Sequence, residues 1–167
     1  MTLVSRLSTL LIILLLAGCS QEKVQVIEGS IYGTTYSVQF TENIDKEEIH
    51  TLVKAELDRI DMVFSTYKED SEISKINYCR TTAECNGYLL MENTPSAEEF
   101  KYLFEIVEKI YEDSNQAFYP VDVALGHMNM PGSQSPIDFS AIGKGYAVDK
   151  IAKLLAGNGI FNYFIDI

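Results

Sequence analysis

The chain has 167 residues, with 13 Lys and Arg against 24 Asp and Glu, for a formal charge of −11. That length suits one domain, and 47% hydrophobic content with 11% aromatics supplies a core, which argues against intrinsic disorder. Nucleic acid is excluded as a partner, because phosphate contacts need clustered Lys and Arg and no such cluster occurs.

Residues 1–18 read as an export signal. Arg6 supplies a positive start, and 7–16 is an apolar run interrupted only by Ser8 and Thr9, short of the roughly 20 apolar residues of a membrane span. The run closes in Leu16-Ala17-Gly18-Cys19, which looks like a bacterial lipobox, where cleavage precedes the cysteine and its sulfur and amino group are lipidated. Cys19 is therefore the predicted lipidation site. It would tether residues 19–167 to the inner or outer membrane on the periplasmic side, and Ser20 after it leans towards the outer one. A buried cysteine in a signal anchor is the alternative.

After a polar stem, 24–27 and Thr34–Phe40 read as strands, with Gly29 and Gly33 at the join. In the second, Tyr36, Val38 and Phe40 alternate with Thr35, Ser37 and Gln39, the period of a half-buried strand. Asp45 with Glu48 forms a capping box, and Ile49, Leu52, Val53, Leu57, Ile60, Val63 and Phe64 follow at helical spacing. Residues 65–77 form a hydroxyl-rich run, read as a helix end followed by a turn capped by Ser71 or Asp70. In an oxidising periplasm Cys79 and Cys85 are a disulfide candidate, stapling the polar loop 80–84; the two histidines, His50 and His127, are too distant in sequence for a metal set.

A second box, Ser96 with Glu99, opens a helix whose inner stripe is Phe100, Leu103, Phe104, Val107, Ile110 and Tyr111. A third helix is predicted from near Lys144, with Val148, Ile151, Leu154 and Leu155 inward and Gly157 as its stop. Residues 160–167 are rich in strand formers with no turn or cap after them, so the chain is expected to stop within a domain. The sum is an α+β domain of mixed strands and three main helices, without repeats or long linkers.

Three segments depart from this plain pattern. In 137–149, Gly143 and Gly145 flank Lys144 where the chain enters a helix, so exposed amides there would hold an anion with the lysine beside them. It is not a Walker A loop: Asp138 stands where the first glycine belongs, and no Ser or Thr follows Lys144. A tight turn with a surface lysine is the plain alternative. The run 65–77 offers Tyr67 as a ring for stacking. The third segment, 29–36, is a glycine-flanked strand start or simply a hairpin.

In this order, Tyr32-Gly33-Thr34-Thr35-Tyr36, the run Ser65-Thr66-Tyr67 through Asn77, and Asp138 to Asp149 around Lys144-Gly145-Tyr146-Ala147 resemble the motifs of the ApbE family of flavin transferases. The resemblance implies an enzyme that binds FAD with Mg²⁺, joins FMN to a Ser or Thr of an acceptor protein and releases AMP. A FAD pyrophosphatase giving FMN and AMP, or a non-catalytic flavin-binding lipoprotein, are the alternatives. By matching position, Tyr32 and Tyr67 would line the flavin or adenine pocket, and Ala117, Phe118 and Tyr119 another wall. Asp138 and Lys144 would contact the dinucleotide, and the Ala141 carbonyl would ligate Mg²⁺. The family's later Gly-Gly stretch and Asp/Thr metal motif have no counterpart before Ile167, so the resemblance covers the front part of such an enzyme.

Overall fold

The computed structural model describes residues 23–82, 85–117 and 136–167. The strands β1 (Gln25–Ile31), β2 (Thr34–Phe40) and β3 (Tyr163–Asp166) form one antiparallel sheet in the order β1-β2-β3. The helices are α1 (Lys46–Phe64), α2 (Glu72–Thr82), α3 (Gly87–Glu92), α4 (Ala97–Asp113) and α5 (Ser140–Gly157). The architecture is α+β as expected. The three expected helices are the long ones, α1, α4 and α5, and α2 and α3 are added between them.

Alternation along β2 puts Tyr36, Val38 and Phe40 on one face, where they meet Ile27 and Ile31 of β1 and the α1 stripe Ile49, Val53, Leu57, Ile60 and Val63. Each such side chain, fully withdrawn from water, contributes about 1.5–3 kcal/mol. β1 runs four residues past its expected end, so Gly29 lies inside a strand, covered by the Tyr36 ring. The two-residue loop between the strands is Tyr32-Gly33, with φ of 53° and 72°. Two positive φ values are what the type I′ hairpin turn requires.

Asp45 caps α1 as predicted, accepting from the amides of Glu47 (2.9 Å) and Glu48 (3.4 Å). The second box is a correction. α4 starts where Ser96 and Glu99 place it, but Ser96 makes no cap and donates instead to Glu72 Oε1 at 3.0 Å. Glu99 joins helices: Arg59 of α1 and Lys150 of α5 both reach its Oε1 at 3.0 Å. Burial alone would raise the Glu99 carboxyl, but the hydrogen bonds from Lys150 and Arg59 outweigh it and hold it below the usual range.

Ser71 caps α2, accepting from the Ser74 amide at 3.1 Å. Cys79 and Cys85 are joined, with Cα atoms 4.8 Å apart. The bond starts inside a helix rather than beside a loop, because α2 continues to Thr82. At its far end α5 stops at Gly157, but the stopping residue is Gly159, at φ +78°; the Ile160 amide reaches the Leu155 carbonyl (3.0 Å) and the Gly159 amide that of Ala156 (3.1 Å). That pair is a Schellman motif, sealed by the buried Ile160. The amides of Phe161 and Asn162 then donate to Glu42 Oε1 at 2.7 and 2.9 Å, guiding the chain into β3.

Candidate functional site

A cavity of about 280 Å³ opens between α1, the α1–α2 loop and the first turns of α5. Its walls are Tyr32, Ile60, Asp61, Phe64, Ser65, Thr66, Tyr67, Phe139, Ser140, Gly143 and Lys144. The rings of Phe64 and Phe139 meet edge to face at 5.7 Å and form its floor side, anchored by Phe100 behind them. Serines hold the rim loop rigidly: Ser71 Oγ and Ser74 Oγ both donate to the Ser65 carbonyl, at 2.6 and 3.2 Å. Tyr67 stands on that fixed loop 93% exposed, an aromatic face available beside the opening.

Tyr32 is the hairpin residue that reaches this wall. Its hydroxyl donates to the Leu57 carbonyl at 3.1 Å, which pins the hairpin tip to α1. Burial pushes the Tyr32 phenol well up, and the Asp61 carboxylate adds to it, so it stays a neutral donor. A second, wider cavity of about 550 Å³ lies on the other side, lined by Ser30, Ile31, Gly33, Thr34 and Thr35 and sharing Tyr32 and Asp61.

The start of α5 corrects the sequence reading. The helix begins at Ser140, four residues before Lys144, so Gly143 and Gly145 are helical and have no positive φ. The Gly143 amide donates to the Phe139 carbonyl at 2.8 Å and the Ile142 amide does so at 2.9 Å, while the Ser140 amide is taken by Asp138 Oδ1 at 2.8 Å. The anticipated amide cradle around the two glycines is therefore spent on the helix itself. Gly143 has another role here: a Cβ would meet nothing within 4 Å, and its bare backbone widens the cavity it lines.

Of the expected site residues, Tyr32, Tyr67 and Lys144 come together on the cavity wall. Asp138 does not; it caps the helix at the edge of the site, held there by Ser140 N and Oγ. Its segment is fixed by Asn77, whose Nδ2 donates to the Ile137 carbonyl at 2.8 Å while the Ile137 amide donates to Asn77 Oδ1 at 2.7 Å. Ala117 is exposed beyond α4 and absent from the wall, and Phe118, Tyr119 and Cys19 lie outside the described residues. Ala141 is exposed in the first turn of α5, where a helical carbonyl turns towards the amide four residues on. Among the described residues no group of three or more His, Cys, Asp or Glu side chains could hold a metal ion.

Asp61, Phe139 and Ser140 escaped the sequence reading. For Asp61 a signal existed: it falls one turn after Leu57 and beside Ile60 and Phe64, so it shares the buried face of α1.

The ApbE family profile matches residues 32–130 and 121–167. Among curated proteins, the chain is 26% identical over 189 residues to an FAD:protein FMN transferase of Vibrio cholerae, covering 93% of this chain and 56% of that protein. It is also 26% identical over 210 residues to the FAD:protein FMN transferase of Haemophilus influenzae, covering 99% and 59%. Among solved structures, the apo flavinyl transferase ApbE of Pseudomonas stutzeri superposes with a TM-score of 0.68 at 21% identity, over 89% of this chain and 60% of that one. The flavin transferase ApbE of Vibrio cholerae gives 0.63 at 19%, over 87% and 57%. The chain thus spans rather more than half the length of the relatives it matches. With the profile covering most of the sequence and the fold shared, the chain belongs to the ApbE family.

Proposed function

We propose that this chain forms the flavin-nucleotide-binding part of an FAD:protein FMN transferase. The observation that carries the reading is the cavity itself: aromatic walls from Tyr32, Phe64, Tyr67 and Phe139, with a lysine that makes no ion pair among the described residues at its rim. Planar rings fit between such walls, and Lys144 then meets the phosphates at the opening. In the transfer, an acceptor Ser or Thr oxygen attacks the phosphorus of the FMN half. The phosphorus–oxygen bond to AMP breaks, and the hydroxyl proton is lost to base. Such chemistry depends on positioning and charge neutralisation, and Lys144 supplies part of the second. The described residues do not fit the Mg²⁺ that the resemblance implies, so no step is assigned to it. The leader sequence supports lipidation at Cys19 and a periplasmic, membrane-tethered location.

The test is FAD titration by flavin fluorescence with the full chain and with Lys144→Ala. Saturable binding is expected, weakened about tenfold to a hundredfold in the variant as a charged hydrogen bond is lost. An unchanged affinity would remove Lys144 from the site, and no binding by the wild-type chain would end this reading.

A further inference from the structure

Asp61 is a carboxylate on the inward face of a helix. Its side chain keeps only 12% of its surface exposed, and Lys68 Nζ meets Oδ2 at 2.5 Å. No described residue donates to the other oxygen, Oδ1. Asp61 also lines both cavities, while the Tyr32 hydroxyl that shares those walls is committed to the Leu57 carbonyl. Oδ1 is not sealed off as a buried orphan, so a ligand donor there would take the place of water. Across the first cavity stands Lys144 on α5, and no ion pair joins the two. The cavity therefore has an acceptor carboxylate, paired with Lys68, on α1, a cationic pole on α5 and aromatic rings between them.

A ligand suits both poles only if it presents N–H at its ring end and negative charge at the other. A ring edge of carbonyls turned towards Asp61 would be repelled, so the residue reads orientation as well as identity. We propose that Asp61 is a specificity-determining residue of the cavity, accepting a hydrogen bond from a ring N–H of the nucleotide whose phosphates lie towards Lys144. This rests on the flavin-nucleotide reading above. FAD offers such a donor twice, at N3 of the isoalloxazine and at the 6-amino group of adenine.

The full chain is titrated with FAD, with N3-methyl FAD and with FAD bearing an N6,N6-dimethylated adenine. One methylated analogue is expected to bind about tenfold to a hundredfold more weakly than FAD, and its identity names the ring that enters. The gap should close in Asp61→Ala, which removes both acceptor oxygens, and persist in Lys68→Met, which keeps the carboxylate but not its ion pair. A purely structural role predicts lower melting temperatures in both variants with no discrimination by the wild type. Equal binding of all three ligands by wild type overturns the proposal while leaving the flavin reading standing. No binding of FAD overturns both.

Discussion

The two ends of α5 are built on opposite terms. From its second turn onward it is packed: Tyr146, Ala147, Ile151 and Leu155 are buried, and Ile160 closes the end. Its first turn carries Ser140, Ala141, Lys144 and Gly145 in the open, with Ile142 alone turned towards the core. They are held from just outside the helix, by the buried Ile137 and Phe139 and by polar fasteners, the Asp138 hydrogen bond to Ser140 and the two hydrogen bonds of Asn77. One end supplies adhesion and the other supplies an approachable surface. A helix can carry a site at a thinly packed end because its position is set from elsewhere.

Ile151→Ala attacks the packed end and gives the largest effect. It should cost about 2–5 kcal/mol in urea unfolding while the folded fraction keeps its affinity for FAD. Asn77→Ala attacks the fasteners and should cost about 2 kcal/mol, because both main-chain groups of Ile137 lose their partner. Unlike the first variant it should also weaken FAD binding by the folded protein.

Glu99 ties α5 to α1 and α4 midway between the ends. Its carboxyl is depressed in the folded state, so the unfolded chain takes up the proton first as pH falls, and stability drops as pH descends through the folded value. Acid unfolding should therefore show wild type losing more stability than Glu99→Gln as the pH falls through the carboxylate range. Gly143→Ala is the smallest and sharpest case. The methyl group enters open space and helix propensity improves by about 0.5–1 kcal/mol, yet the cavity narrows. Thermal melting should rise as FAD affinity falls.

Legibility in the sequence followed contrast. The period of β2 and the stripes of α1 and α4 set apolar against polar residues, and they fold as that pattern requires except at Leu52, which the α1 stripe placed inward and which stands 37% exposed at the edge of that face. α2 carries its buried Ile73, Ile76 and Cys79 among Ser, Lys and Asn, with Arg80 buried too, so its faces barely differ and the periodicity was mute. The opening of α5 misled for a thermodynamic reason: a helical glycine costs only about 1 kcal/mol, which neighbouring contacts override, so two glycines need not mark a turn. Asp138 caps from outside the familiar box spacing. Of the site, Tyr32, Tyr67 and Lys144 were legible through their motifs, whereas Asp61 was hidden as one more acid in a charged helix.

The hairpin tip shows what this cavity demands of its own backbone. A tyrosine at φ 53° is held in a region that asparagine or glycine enters far more readily, at a penalty of about 1–3 kcal/mol. Relaxing that strain with Asn would suit the bend and vacate the partition between two adjoining chambers. Position 32 therefore sets relief of backbone strain against the ring's packing and its bond to Leu57, and an easier bend there would remove a wall shared by the two chambers.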